Sequence, residues 1–327
     1  MITTQTPFRL SFFGGGSDIK SFYRRHPGAV LSVAINKSMY VTTHPYFEPT
    51  AIHLKYSKTE LVSSVDLIDH PILRAVLTEL APGGGIEVAS IADIPGGTGL
   101  GSSSAFTVGL IQNLNARLQR FLPPSRLAET ACHIEIDVLK EPIGKQDQYA
   151  SAFGALNRFV FHSDGRTTVE RIFVPADTIK RLEASLFLFY LGTPRSASSV
   201  LREQTRNLAD TTIFETQKAM VNQVDLGVQL LRDGDLDGFG RLLHEAWMLK
   251  RGLASRISDD NIDAHYQRGL AAGALGGKLA GAGGGGFLLF YCPPRSQSCF
   301  LKAMNGMRRV PFRFEFSGSR IVHFSDE

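Results

Sequence analysis

The chain has 327 residues, 43% of them apolar, and its formal net charge is only +4. Its basic residues form no runs interleaved with aromatics, so the composition does not favour a nucleic-acid partner, although the slight positive charge suits an anionic substrate. No apolar run is long enough to span a bilayer, no secretory leader is visible, and three cysteines and nine histidines are scattered. We therefore expect a cytoplasmic protein with no membrane partner and no transition-metal site.

The length is sufficient for two domains of ordinary size. Helical and strand patterns alternate in the second half of the chain, which indicates an α+β sandwich. We predict a first domain over residues 1–175 and a second over residues 176–327.

A strand-like apolar run, Phe8–Phe13, leads into three glycines, Ser17 and Asp18. Arg9 lies inside that run, where an unpaired guanidinium would be unfavourable, so we expect it to meet a carboxylate or a phosphate. Asp18 has two interpretations. It can cap a helix that begins near Ile19, or it can bind the hydroxyl groups of a sugar.

Strand patterns continue over residues 29–41 and 52–62, and a helical pattern covers residues 72–80. His70, before Pro71, is typical of a helix start. A further strand begins at Ile86 and leads to the most informative stretch of the chain.

That stretch, Ile94–Phe106, is a dense glycine run followed by three serines and an apolar helical pattern. Glycines let backbone N–H groups approach an anion, and the following helix points its positive end at the same place. The stretch therefore predicts a phosphate-binding loop, the alternative being a surface loop before a serine-capped helix. It is not a Walker A motif, which requires Gly-Lys-Ser/Thr.

The apolar stripe of the following helix continues to Phe121, and Pro123 with Pro124 should end it. A second helix is predicted over residues 125–140, where Glu135 shares the apolar face. A lone buried acid needs a partner, so a metal ion, a base and a plain salt bridge all stay open.

Asp147 follows in a polar turn, twelve positions after Glu135. The two carboxylates can face a common point, where one holds Mg²⁺ while the other orients or deprotonates a hydroxyl. An aspartate in a polar turn is also ordinary, so this pattern is weak by itself.

In the second half, a hairpin around Asp164 precedes a buried strand at residues 186–191. Three long helical patterns follow, and strands are predicted near Phe287, Phe312 and Ile321. The glycine-rich segment before Phe287 indicates close backbone approach to a ligand or to another loop, with a flexible linker as the alternative. Its G-x-G-x-x-G match precedes a strand instead of following one, so it is not a dinucleotide fingerprint.

Three stretches in this order together resemble the motifs of the GHMP small-molecule kinases: Phe8–Asp18, Pro95–Ser104 and Lys278–Phe287. The resemblance implies a GHMP kinase two-domain architecture, with an N-terminal α/β domain containing a left-handed crossover and a C-terminal ferredoxin-like α/β sandwich. It also implies ATP and Mg²⁺ as cofactors and a small-molecule sugar as the acceptor.

Within that family the chain is most similar to the branch that phosphorylates the anomeric hydroxyl of heptose 7-phosphate, for nucleotide-activated heptose and surface polysaccharide synthesis. The residues that carry this likeness are the Gly14–Asp18 ending, Tyr56–Glu60, His70–Arg74, Gly144–Tyr149 and Arg195–Ser198. Two alternatives stay open: a GHMP kinase for an unphosphorylated sugar such as fucose, and a nucleotide-binding sensor without transfer activity. A homodimer also stays a possibility.

The resemblance assigns roles to individual residues. Asp147 and Arg9 are the implied catalytic pair, and Ser103 and Glu135 are the implied Mg²⁺ ligands. Because three serines follow one another, Ser102 and Ser104 stay open as alternatives to Ser103. The implied nucleotide-binding residues are Pro95, Gly97, Gly99, Leu100, Gly101, Ser102, Ser103 and Ser104. The implied substrate-binding residues are Gly15, Gly16, Ser17, Asp18, Arg195, Ser196, Gly283 and Gly284.

The 7-phosphate of such a sugar needs its own cations. Arg195 with Ser196 is one candidate set, and Lys20, Arg24 and Arg25 are another. These last three are equally well explained as a solvated helix face.

Overall fold

The computed structural model describes residues 1–192 and 197–325. Its strands are β1 (Ile2–Phe13), β2 (Gly28–Pro45), β3 (Ile52–Lys55), β4 (Thr59–Val62), β5 (Ile86–Ala92), β6 (Leu156–Phe161), β7 (Thr167–Arg171), β8 (Leu186–Tyr190), β9 (Gly276–Leu279), β10 (Phe287–Tyr291), β11 (Arg308–Arg309) and β12 (Arg320–Phe324). Its α-helices are α1 (Lys20–Tyr23), α2 (Pro71–Leu80), α3 (Ser102–Arg117), α4 (Pro124–Cys132), α5 (Gln146–Phe153), α6 (Ala176–Ser185), α7 (Ala197–Asn207), α8 (Thr211–Asp233), α9 (Leu236–Arg251), α10 (Asp260–Ala271) and α11 (Gln297–Ala303).

The first sheet has the order β12-β1-β2-β5-β3-β4, with β6 and β7 continuing from β2. β2 is long enough to pair with β6 through its first half and with β5 through its second. β3 and β5 are parallel, and α2 lies in the connection between them. The apolar run of β1 is buried because α3 and α8 both pack against it, as expected for a strand covered on both faces.

The second sheet has the order β11-β8-β10-β9, and every neighbouring pair is antiparallel. Taken in chain order, these strands and the helices between them follow the β-α-β-β-α-β scheme of a ferredoxin-like fold. The predicted α+β class and the ferredoxin-like second region are confirmed.

The two sheets share one apolar core. The rings of Phe12 and Phe13 on β1 each lie 5.2 Å from the ring of Phe239 on α9. β12 returns from the second half of the chain to pair with β1. The boundary at residue 175 falls between the sheets and stays a prediction, but it would separate β12 from the sheet that contains it.

The predicted end of helix α3 is wrong. α3 stops at Arg117 because Gln119 adopts a left-handed conformation (φ 55°), and Phe121 lies beyond it with 86% of its surface exposed. Pro124 does not end this helix; it begins α4 at a position where its missing N–H has no consequence. The strand expected near Phe312 lies a few residues earlier as the short β11, and Phe314 forms an isolated bridge with Ile35.

Among the described residues, no helix combines the length and the apolar character needed to cross a bilayer.

Candidate active site

A cavity of about 410 Å³ lies where β1, the N-terminus of α3, α5, α7, α9 and the glycine-rich segment after β9 meet. It brings together Arg9, Asp18, Glu135 and Asp147, which are far apart in the sequence. The predicted motifs therefore converge on one site.

Arg9 and Asp147 form a bidentate pair in this cavity. The Nε and Nη2 atoms of Arg9 donate to Oδ1 and Oδ2 of Asp147 at 2.7 and 2.8 Å. Nη1 of Arg9 donates to the carbonyl oxygen of Gly99 at 2.7 Å. Arg9 is almost fully buried, whereas the Asp147 side chain is about one quarter exposed towards the cavity. The expectation that Arg9 meets a carboxylate is confirmed, and the pair holds that carboxylate in one orientation.

Asp147 does not lie in a turn, as the sequence suggested, but in the first turn of α5. A carboxylate at that position is favoured by the helix dipole. A Cβ placed on Gly101 would lie 3.3 Å from Oδ2 of Asp147. The acid therefore lies directly beside the phosphate loop, which we define as Gly96–Ser104.

The phosphate loop ends at the N-terminus of α3. Gly101 caps this helix with φ 78°, a left-handed conformation that favours glycine. The residues of this loop that line the cavity are Gly97, Gly99, Gly101, Ser102, Ser103 and Ser104. The positive end of the helix and its free N–H groups thus face the cavity, which is the arrangement that binds phosphate.

Two predicted nucleotide contacts do not line the cavity. Pro95 is exposed, and its carbonyl accepts a hydrogen bond from Thr98. Leu100 is fully buried, and its carbonyl accepts from the N–H of Arg9 at 3.1 Å. Leu100 therefore connects the loop to β1 through its backbone.

Glu135 faces the same helix start. It lies in a π-helical turn, His133–Val138, that continues α4, and such turns are frequent at functional sites. Its Oε1 accepts from the hydroxyl of Ser103 at 3.0 Å and its Oε2 from the amide of Gln148 at 2.6 Å. Burial is the main cause that raises the pKa of Glu135 to about 7, with the nearby Asp147 charge adding to it.

This environment fits a divalent cation. A buried carboxylate with no cationic partner among the described residues is stabilised by a positive ion, and Mg²⁺ is commonly held by one or two carboxylates together with substrate phosphates. The described residues contain no group of three His, Cys, Asp or Glu side chains that could hold a metal ion alone. Ser103 and Glu135 would therefore hold Mg²⁺ jointly with a bound nucleotide.

Asp18 is another carboxylate that lines the cavity. Its carboxylate accepts from the N–H of Gly16 at 3.0 Å and from the backbone and side-chain amides of Gln146, both at 3.1 Å. Burial, the largest influence, raises the pKa of Asp18 although these hydrogen bonds act against it. A Cβ on Gly144 would collide with Asp18, so the glycine is needed there. Asp18 does not cap α1, whose start at Ile19 has no side-chain hydrogen bond.

Gly15 and Gly16 line the cavity, but three other predicted substrate residues do not. Ser17 is buried and exchanges hydrogen bonds with the backbone of Ala29. Gly283 packs closely against Ile257, and the N–H of Gly284 donates to the Ile257 carbonyl at 2.9 Å. The structure gives Ser17, Gly283 and Gly284 packing roles because other parts of the chain cover them.

Among the described residues, the candidate cations for a sugar phosphate do not meet at the cavity. Lys20, Arg24 and Arg25 are exposed and do not line the cavity. Arg24 donates to the Ser163 carbonyl, and Arg25 lies over the ring of Phe214 at 3.8 Å. Arg195 and Ser196 lie outside the described residues.

Sequence reasoning missed several residues of the cavity. Gln146 lines the cavity and orients Asp18, and the buried Gln148 orients Glu135. Both lie in the Gly144–Tyr149 stretch, but no local pattern assigns them these roles. Lys250 could have been identified from the sequence, because it continues the buried face of α9 at helical spacing after Leu243, Ala246 and Trp247. A lysine on an apolar stripe is the same signal that identified Glu135.

Comparison with known families decides the classification. The family model for the GHMP kinases N terminal domain matches residues 68–155, and that for the GHMP kinases C terminal matches residues 228–304. The two matches together cover just over half of the chain. The chain belongs to the GHMP kinases.

Individual relatives of this GHMP kinase cover nearly its whole length. A D-glycero-alpha-D-manno-heptose 7-phosphate kinase from Campylobacter jejuni is 27% identical, and the match covers 97% of this chain and 96% of the relative. A galactokinase from Pyrococcus furiosus is 25% identical, with 87% of each chain covered. The crystal structure of a D-glycero-D-manno-heptose 1-phosphate kinase from Bacteroides thetaiotaomicron superimposes with a TM-score of 0.81 at 21% identity and covers 100% of both chains.

These relatives confirm the two-domain GHMP fold that the motifs implied. They also identify the chain as a sugar kinase, a phosphotransferase with an alcohol group as acceptor, and ATP is the donor that this family uses.

Proposed function

We propose that this kinase transfers the γ-phosphoryl group of ATP to the anomeric hydroxyl of D-glycero-D-manno-heptose 7-phosphate and forms the 1,7-bisphosphate. The product would serve the synthesis of nucleotide-activated heptose and surface polysaccharide. The observation that supports the proposal most strongly is the Arg9–Asp147 pair, which places an oriented carboxylate beside the phosphate loop.

The nucleotide phosphates would bind at the N-terminus of α3. The free N–H groups of its first turn and the hydroxyls of Ser102–Ser104 would donate to the phosphate oxygens. When bound, Mg²⁺ at Ser103 and Glu135 would offset negative charge on the phosphates.

The acceptor would lie between Asp147 and Asp18, which line the same cavity. Asp147 would accept the proton of the acceptor hydroxyl while that oxygen forms a bond to the γ-phosphorus. The bond between the γ-phosphorus and its bridging oxygen breaks, and ADP leaves with that oxygen. Arg9 would hold the Asp147 carboxylate in line and offset charge on the transferred group.

Two observations support a heptose phosphate as the acceptor. The first is the near full-length match to the Campylobacter jejuni heptose 7-phosphate kinase. The second concerns two of the stretches that carry the likeness to the heptose 7-phosphate branch, Tyr56–Glu60 and His70–Arg74, which come together beside the cavity. Glu60 accepts from the hydroxyl of Tyr56 at 2.6 Å and from the N–H of Asp69 at 2.6 Å, next to His70, which lines the cavity.

The test is to measure ADP formation with heptose 7-phosphate, mannose, fucose and galactose in parallel, and to locate the new phosphate by phosphorus–proton coupling. We expect turnover with heptose 7-phosphate to exceed the others at least a hundredfold, with coupling to the anomeric proton. Preferred turnover of fucose would favour the unphosphorylated-sugar alternative. Nucleotide binding without turnover of any sugar would favour the sensor.

A further inference from the structure

Lys250 is a buried cation of the cavity to which no role has been assigned so far. It lies in the last turn of α9 with 6% of its surface exposed, and it lines the cavity. Among the described residues its ammonium group has no carboxylate partner, and its one described hydrogen bond goes to the carbonyl oxygen of Gly281. An ammonium group carries three donors, so Lys250 retains donors for another acceptor.

The position of Lys250 connects it to the reacting end of the phosphate loop. Gly281, its partner, packs so closely on Gly99 that a Cβ on either residue would collide with the backbone of the other segment. The carbonyl of Gly99 in turn accepts from Arg9, which holds Asp147. Lys250, Gly281, Gly99 and Arg9 therefore follow one another along one wall of the cavity.

Lys278 provides an internal comparison. It is also buried, but its ammonium donates to two carbonyls, those of Ser11 and Phe12, at 2.7 and 2.8 Å. These bonds connect β9 to β1, so Lys278 has a structural role. Both lysines line the cavity, but Lys250 has only one such described bond, so more of its donors are available to a ligand.

A buried ammonium without a carboxylate is unfavourable unless an anion compensates it. Burial is the main cause that lowers the pKa of Lys250 to about 8; the charge of Arg9 adds to this effect, and the charge of Asp18 opposes it. Arg9 is already neutralised by Asp147, and Asp18 is held by amide groups. The missing counter-ion must therefore come from a ligand of the cavity.

We propose that Lys250 donates to the γ-phosphoryl group of ATP, both before and during its transfer. The proposal rests on the kinase function proposed above. Arg9 and Lys250 would then contact the transferred group from neighbouring points of one wall, beside the N-terminus of α3. The bonds formed and broken in the transfer step are those described above. Lys250 only offsets the negative charge that the γ-phosphoryl group carries.

The test compares two nucleotides that differ in the γ-phosphoryl group. Affinities for ADP and for a non-hydrolysable β,γ-imido analogue of ATP are measured by calorimetry with Mg²⁺ for the wild type, Lys250→Met and Lys250→Gln. We expect both variants to bind the analogue about tenfold or more weakly, since a charge-assisted hydrogen bond is lost, and to bind ADP within twofold of the wild type. We also expect kcat to fall by about 10²–10³-fold.

Three controls separate this role from a structural one. Lys250→Gln can still donate to Gly281, so a residue that only supports the glycine segment would be rescued by glutamine. Lys250→Met should not lower the melting temperature, because replacing a buried unpaired charge by an apolar group is often neutral or stabilising. Lys278→Met should lower the melting temperature and leave the preference for the analogue over ADP unchanged.

Equal weakening of ADP and the analogue would overturn the inference, and so would a loss confined to the Michaelis constant of the sugar phosphate. If the wild type transfers phosphate to a sugar while Lys250→Met keeps its preference for the analogue, the inference fails and the proposed function stands. If the wild type binds nucleotide but phosphorylates no sugar, the proposed function fails, and the affinity ratio still decides the role of Lys250.

Discussion

The two glycine-rich segments of this kinase have different reasons for their composition. In the phosphate loop, Gly99 and Gly101 line the cavity and place helix α3 with its N-terminus towards the ligand. In the second segment, Gly281–Gly286, the glycines allow one backbone to pack on another. A Cβ on Gly281 would collide with Gly99, and a Cβ on Gly286 would collide with Thr98.

Glycine density by itself therefore does not identify a ligand site. Both segments reach the cavity, which Gly281 and Ala282 also line, but only the first points a helix N-terminus at the ligand. It follows that changes to the functional side chains beside the phosphate loop should act mainly on kinetics, whereas changes to the packed glycines of the second segment should alter stability first.

The largest effect is expected beside the phosphate loop, at Asp147. Asp147→Asn keeps an acceptor for Arg9 but loses the charge that accepts the hydroxyl proton, so we expect kcat to fall by about 10³-fold or more. The affinity for ATP should stay close to that of the wild type, whereas the melting temperature should fall, because the buried Arg9 loses its anionic partner. Single-turnover kinetics and calorimetry measure these quantities, and full activity of the variant would refute the role of Asp147.

The second segment should respond in the opposite way. Gly281 has φ 72° and no room for a Cβ, so Gly281→Ala combines left-handed strain with overpacking, and we expect a loss of about 3–4 kcal/mol in the free energy of unfolding. Gly306→Ala is the matched control, because Gly306 also has a positive φ but open space around it. Its loss should be about 1–2 kcal/mol. Equal losses in urea denaturation would contradict the packing role.

Glu135 tests whether the phosphate loop shares its ligand with a metal ion. Glu135→Gln keeps the shape and removes the charge, so we expect the Mg²⁺ concentration for half-maximal activity to rise about 10–100-fold, with partial rescue of kcat at high Mg²⁺. An unchanged Mg²⁺ requirement would exclude Glu135 as a ligand.

The smallest effects should distinguish Ser102 from Ser103. Ser103 is exposed to the cavity and donates to Glu135, whereas Ser102 is buried. We expect Ser103→Ala to raise the Mg²⁺ requirement several-fold and Ser102→Ala to change it less than twofold. The reverse order in a magnesium titration would assign the ligand to Ser102.

Much of this site could be predicted because it depends on local chemistry. A glycine run before a helix start, a guanidinium inside an apolar strand and an acid on an apolar helix face each require a particular partner. Arg9 is identified in that way, and the carboxylate that it requires is Asp147. Glu135 is identified in the same way; its described partners are the Ser103 hydroxyl and the Gln148 amide, and its role as a metal ligand stays a prediction.

What could not be predicted depends on how distant segments meet. The contact of Gly281 with Gly99 involves residues 182 positions apart, and no local pattern shows it. The resemblance assigns Gly283 and Gly284 to substrate, whereas the structure packs them against Ile257. A glycine-rich sequence looks the same whether it faces a ligand or packs against another backbone segment. Asp147 was placed in a turn because α5 is short and begins with polar residues.

The central claim is that the phosphate loop and Asp147 act on the same phosphoryl group. A crystal structure with Mg²⁺ and the β,γ-imido analogue of ATP tests it most directly. We predict the γ-phosphorus between the N-terminus of α3 and the Asp147 carboxylate, with Arg9 still paired to that carboxylate. A triphosphate bound away from the phosphate loop, or an Asp147 side chain turned out of the cavity, would contradict the account.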